Sequence, residues 1–162
     1  MSRSHVWMPK GTEFVEPRAV NWGQNLTMIG AIRRRRWVTL GTHWRGTTHD
    51  KFQRWVRRRL VPALRRGDVV LMDRLAVHRT PAVRRLIEAR GAKLRLLPPY
   101  SPDFNPIEPA WGLVKKRLRT IGARTGPRLR RAAHRACRVV TARHCQRWFA
   151  HSGYVKSTAN RD

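Results

Sequence analysis

Two carboxylates stand out in this sequence because of what precedes each of them. Asp73 closes an unbroken apolar run, Val69-Val70-Leu71-Met72, with Gly67-Asp68 before it and Arg74 after it. Glu108 closes a proline-rich stretch, Leu97-Pro98-Pro99-Tyr100-Ser101-Pro102-Asp103-Phe104-Asn105-Pro106-Ile107-Glu108. Carboxylates at the ends of structural elements lie where a sheet-based fold often builds its site. Two bare carboxylates about 4 Å apart repel by on the order of 4 kcal/mol at an effective dielectric of about 20. A metal, a proton or an arginine must relieve that. Each residue also has a purely structural reading. Asp73 serves equally as a strand-end turn former. Asn105 as N-cap, Pro106 at the first helical position and Glu108 three residues on resemble a capping box, although Pro109 disfavours helical torsions at Glu108.

The elements that must position these two residues follow from periodicity and breakers. The run Val69–Met72 reads as a short strand buried on both faces. Pro98, Pro99, Pro102 and Pro106 exclude helix or central strand before Asn105. A helical pattern then starts, with Trp111, Val114, Leu118 and Ile121 inward and Lys115, Lys116, Arg117 and Arg119 mostly off that stripe. Upstream, Asn25–Ile32 and Trp37–Trp44 are β-like, and Arg33, Arg34, Arg35 and Arg36 between them predict a hairpin with a basic tip. Thr47 with Asp50 resembles a capping box opening a helix through Phe52, Trp55, Val56, Leu60 and Leu64, which Pro62 kinks or ends.

Beyond Asp73, Thr80-Pro81 opens a helix with Val83, Leu86 and Ile87 inward and Gly91 at its end, and Lys93–Leu97 reads as the next strand. Strand, helix and strand in that order predict a right-handed crossover. Gly126-Pro127 opens a helix through Leu129, Ala132, Ala133, Ala136, Cys137 and Val140, and a last helix over 142–151 stops at Gly153, with Trp148 and Phe149 in the core. Residues 1–20 read as an irregular arm with a short strand near Glu13–Val15, residues 21–154 as one α/β domain, and 155–162 as a tail.

Charge narrows the class. Among 162 residues, 36 Lys plus Arg stand against 9 Asp plus Glu, a net charge of +27. Such an excess repels itself unless a polyanion is close, and nucleic acid is the natural partner. The arginines of the hairpin tip and the basic face with Lys115, Lys116 and Arg119 are candidate phosphate contacts; a solvated face is the bland alternative. No run of about 18 apolar residues is present, so no membrane partner is expected. Cys137 and Cys145 are too far apart on one helix for a disulfide and lack zinc-ligand spacing, which fits a reduced, cytoplasmic protein.

Met72-Asp73-Arg74-Leu75-Ala76-Val77-His78, followed by Leu97 through Glu108 and Trp111, closely resembles the bacterial insertion-sequence transposases of the mariner-related superfamily, with their DDE-type endonuclease domains. The resemblance runs from about Asn21 to Tyr154, with 34 residues (74–107) between the two acids, as in that family. It implies a ribonuclease-H-like fold with a central mixed sheet flanked by helices, and DNA cleavage and strand transfer as the activity. Asp73 and Glu108 then correspond to the second and third catalytic, metal-binding carboxylates, with Mg²⁺ or Mn²⁺ as cofactor and transposon ends and target DNA as partners. A bacterial, nucleoid-associated location is expected, and a homodimer is left open.

The family's first Asp lies on a strand upstream of the segment matching Asn25–Ile32 and of the arm around His5–Gly11. The sequence starts after that point, and Glu13 and Glu16 come too late to be expected replacements. The first strand is therefore expected to be missing, and the chain to be a truncated transposase with weak or no strand transfer of its own. A non-catalytic, basic DNA-binding protein derived from a transposase is the alternative. Arg74 stands where the family usually has Asn, and its guanidinium is expected to compete with metal for Asp73 or Glu108. His78 falls near the site, with a structural role as the default.

Overall fold

The computed structural model describes residues 25–123 and 126–155. The 1–20 arm, with its expected strand near Glu13–Val15, lies outside them, as does the 155–162 tail except Val155. Strands β1 (Leu26–Arg33) and β2 (Arg36–Trp44) form an antiparallel hairpin whose two-residue turn is Arg34-Arg35. The register shifts between Ala31 and Ile32, a bulge that bends the ribbon next to its tip.

Helix α1 (His49–Trp55) follows. Its N-cap is Thr48, which accepts the Lys51 N–H, so the expected cap at Thr47 moves by one residue; the Thr47 hydroxyl lies 3.2 Å from His43 Nε2 instead. The helix widens to a π-helical turn over Val56–Leu60 and tightens to a 3₁₀ turn at Val61–Ala63, where Pro62 ends it. Strand β3 (Val69–Met72), helix α2 (Pro81–Glu88, capped by the Thr80 side chain) and strand β4 (Lys93–Leu96) form the crossover unit, with β3 and β4 parallel. Helices α3 (Ile107–Ile121), α4 (Gly126–Ala136) and α5 (Ala142–His151) complete the order. Gly122 ends α3 in the left-handed conformation (φ 64°), donating to the Leu118 and Arg119 carbonyls.

This is the expected α/β class, a mixture of parallel and antiparallel pairing flanked by helices and compatible with a ribonuclease-H-like fold. Among the described residues the strands form two two-stranded sheets, β1-β2 and β3-β4, rather than one. Two apolar cores lie around them. One joins Phe52, Trp55, Val56 and Leu60 to Val83, Ile87, Met72 and Leu94; the other joins Ala110, Val114 and Leu118 to Ala133, Ala136 and Cys145. Each fully buried aliphatic such as Ile87 or Val114 contributes roughly 1.5–3 kcal/mol through burial. Alternate residues of β1 serve both cores: Ile29 and Ala31 pack on the first, Leu26, Met28 and Ile32 on the second.

One expectation needs correction. Strand β3 is not buried on both faces: Val70 and Met72 pack on the first core, but Val69 is 55% exposed. The physical cause is alternation: Val69 and Leu71 point to the face opposite Val70 and Met72, and among the described residues neither core cluster includes them.

Candidate active site

Asp73 stands at the C-terminal end of β3 and Glu108 in the first turn of α3, and both line the same cavity of about 740 Å³. The sequence places them at element ends; the fold brings those ends to one opening. The Asp73 side chain is 42% exposed, and its Oδ1 accepts from the Leu75 N–H at 3.1 Å and lies 2.6 Å from His78 Nδ1. His78 is in turn seated on Phe52, with ring centroids 4.5 Å apart. The imidazole thus orients the carboxylate by holding one oxygen, a contact that only the 3₁₀ turn Ala76–His78 creates.

Glu108 is exposed, and the capping-box reading fails for it. The N-cap of α3 is Pro106, with no side-chain cap bond, and Asn105 is buried before it. The Glu108 N–H donates to the Asn105 carbonyl, while its carboxylate forms no ion pair among the described residues. Pro109 is tolerated because it falls in the first turn, where N–H groups have no helical acceptor. The loop before Glu108 is held from the far end of the chain: the Ser152 hydroxyl donates to the Asp103 carbonyl and the Tyr154 hydroxyl to the Phe104 carbonyl, both at 2.7 Å. No periodicity in the sequence signals these bonds.

Arg74 does not compete for either acid. Its Nε donates to the Leu97 carbonyl at 3.2 Å, tying the end of β3 to the start of the proline-rich loop. Of the four tip arginines, Arg33 is engaged inside the protein: its guanidinium donates to both Asp68 carboxylate oxygens, at 3.1 and 2.6 Å, and to the Ala63 carbonyl. Arg34, Arg35 and Arg36 are exposed, and all four line the cavity that Asp73 and Glu108 share. Lys115, Lys116 and Arg119 are exposed on α3 outside that lining. Arg128, Arg130, Arg131 and Arg135 are also exposed on α4, and their spacing around the buried Ala132, Ala133 and Ala136 is the sequence signal for this further basic face.

Burial by itself would raise the Asp68 carboxyl, but the Arg65 N–H and then the Arg33 guanidinium outweigh it and hold it below the usual carboxylate value. A depressed folded pKa gives stability that is complete above the unfolded value of 3.8 and is lost as pH falls through the lower folded value. Arg33→Ala is therefore expected to cost roughly 1–2 kcal/mol at neutral pH and to flatten the acid limb of a stability–pH curve below about pH 4, as urea melts would read. Burial pushes the Cys137 thiol up to about 12 and also raises Cys145; both are buried and free, so neither is poised for redox or metal chemistry.

Among the described residues no group of three His, Cys, Asp or Glu side chains is placed to hold a metal ion. The donor set is two carboxylates in one cavity, with neither taken by an arginine. Hard oxygen donors of this kind fit one divalent cation whose remaining positions go to water and phosphate.

Residues 1–130 match the family of DDE superfamily endonucleases. The chain belongs to that family, which makes it a nuclease-type domain of the transposase kind. The family acts on DNA and typically uses divalent metals. A search of curated proteins finds no match to the chain.

Proposed function

We propose that this chain is the DNA-processing domain of a mariner-related insertion-sequence transposase, with Asp73 and Glu108 as the second and third catalytic carboxylates. The observation that carries this reading is that both carboxylates line one cavity and neither is engaged by arginine, while Asp73 also accepts from the Leu75 N–H and contacts His78. Asp73, oriented by His78, and Glu108, at the mouth of α3, would hold Mg²⁺ or Mn²⁺. When bound, such an ion activates an attacking oxygen and stabilises the leaving one. The residues themselves bind and orient: Arg34, Arg35 and Arg36 draw phosphate to one end of the cavity, and the exposed Tyr100 and Phe104 offer faces to unpaired bases.

In this reading Asp73 and Glu108 are two of the family's three catalytic acids. Two carboxylates supply two negative charges against the four positive charges of a metal pair, so strand transfer by this chain alone is weak or absent. The test is purified protein with transposon-end DNA in Mg²⁺: robust cleavage and joining would overturn that expectation. The second reading, a non-catalytic DNA-binding protein, draws on the +27 net charge. It wins if DNA binds tightly while Mn²⁺ affinity is the same with and without the two carboxylates.

Either reading predicts the same salt behaviour. Replacing Arg34, Arg35 and Arg36 together by Ala should flatten the plot of log affinity against log salt by about 0.9 for each phosphate no longer neutralised, or about 2.7 in all. Fluorescence anisotropy with duplex DNA over a salt series measures it. An unchanged slope would assign the tip to solvent.

A further inference from the structure

The first turn of α3, which carries Glu108, has no cap of its own. Its N-cap is Pro106 and no side chain bonds to its free N–H groups, although a side-chain oxygen is the common means of fixing a helix start. Ala110, Val114 and Leu118 anchor the helix in the second core, but Glu108 and Pro109 stand exposed ahead of that anchor. What precedes them is a 3₁₀ turn, Pro102–Phe104, and then Asn105 in an extended conformation (φ −110°, ψ 95°). The Glu108 N–H donates to the Asn105 carbonyl, and the Asn105 N–H to the Pro102 carbonyl. The direction in which α3 starts is therefore inherited from this turn.

The turn is fixed in its place from the end of α5. Carbonyls at a helix end lack an N–H partner within the helix. Here the Asp103 carbonyl accepts from the Ser152 hydroxyl and the Phe104 carbonyl from the Tyr154 hydroxyl, each at 2.7 Å. Among the described residues Asn105 and Ser152 are the buried polar ones, and both belong to this junction. Gly153 ends α5 in the left-handed conformation (φ 80°) and turns the chain back, so that the Tyr154 ring meets Phe149 edge to face with centroids 6.3 Å apart. Phe149 itself lines the cavity that Asp73 and Glu108 share. One chain end thus builds part of the cavity wall and holds the turn from which Glu108 is aimed. Both hydroxyls come from beyond residue 130, where the family match ends.

We propose that Ser152 and Tyr154 are positioning residues: their hydroxyls hold the Pro102–Phe104 turn and so set how the Glu108 carboxylate approaches the cavity. The consequence for metal binding rests on the reading of Asp73 and Glu108 given above. Neither hydroxyl touches an ion; both act through the backbone of the turn and the first turn of α3. The clamp stands in for the cap that α3 lacks.

The test is the full chain carrying Ser152→Ala and Tyr154→Phe together, which removes two hydroxyls and keeps the Tyr154 ring on Phe149. Groups that hold a metal ligand from behind typically contribute 10–100-fold in affinity, and a clamp on the backbone should fall at the low end, so Mn²⁺ should bind about tenfold more weakly. In a Glu108→Gln background the same pair should change Mn²⁺ affinity by less than about twofold, read by titration into the millimolar range, because its effect runs through Glu108. Hydrogen exchange should quicken about tenfold at the Asn105 and Glu108 amides and stay unchanged at Ile87 and Leu94 in the first core. Equal loss of Mn²⁺ affinity in both backgrounds, or quickened exchange at Ile87 and Leu94 as well, would mean general loosening and overturn the proposal. Parent-like Mn²⁺ affinity of the double variant, where Glu108→Gln alone weakens it, would overturn it too. If the Glu108→Gln chain binds Mn²⁺ as the parent does, the metal-site reading fails instead. The clamp then stands on quickened exchange at Asn105 and Glu108, and falls if that exchange is unchanged.

Discussion

Asp73→Asn and Glu108→Gln chains should each bind Mn²⁺ far more weakly than the parent, while binding duplex DNA as well or better. If Asp73 and Glu108 hold the metal as proposed, each substitution removes one of two anionic oxygen ligands, and leaves shape and hydrogen-bonding capacity nearly unchanged. Loss of an outer-shell partner alone typically costs 10–100-fold in metal affinity, and loss of a direct ligand should exceed about tenfold. DNA affinity moves the other way because a negative charge beside the phosphate path disappears from a basic surface. Calorimetry with Mn²⁺ and a salt-matched DNA titration give the two numbers. Equal Mn²⁺ affinity in all three chains would remove the carboxylates from the site. His78→Ala separates orientation from ligation: it frees the Asp73 oxygen that His78 holds, so it should weaken Mn²⁺ less than Asp73→Asn does.

Gly30→Val should destabilise the domain by about 3 kcal/mol or more, at the upper end of what overpacking costs. Strand β1 passes so close to the aromatic layer that a Cβ at Gly30 would lie 2.6 Å from Trp37 Cζ2 and 2.9 Å from Trp111 Cη2. The two indoles meet edge to face, with centroids 5.2 Å apart, and the Trp37 indole N–H donates to the Thr39 carbonyl, so neither ring is free to swing away. Trp111 lies one turn after Glu108 on α3, so the strain reaches the site. Urea melts should show the midpoint falling sharply. A Gly30→Val chain as stable as the parent would mean that this aromatic layer is loosely packed. Gly112, with nothing near its Cβ position, is the control: Gly112→Ala should be neutral or stabilising within α3.

Much of this was legible in the chain alone. The arginine-tipped hairpin, the crossover from β3 through α2 to β4, and the limits of α5 follow from local period, caps and breakers, and these act within a few residues. The two carboxylates were legible as well, because an acid after an apolar strand and an acid after a proline-rich loop are local patterns. What each one is free to do was not local. Glu108 is left without a cap bond because Pro106 takes the N-cap position, and Arg74 leaves both acids because the Leu97 carbonyl comes within its reach.

The same division holds for β3. Four apolar residues in a row set its conformation and predicted burial on both faces; which face is covered depends on which distant elements pack against it. Composition pointed to the polyanion partner, since +27 charges act at any arrangement of the chain. Only the tertiary structure decided that Arg33 neutralises Asp68 while its three neighbours face outward. It also decided that Asp73 and Glu108 open onto one cleft lined by β1 and β3. Backbone pairing between segments far apart in sequence has no local signature, and the site depends on that pairing.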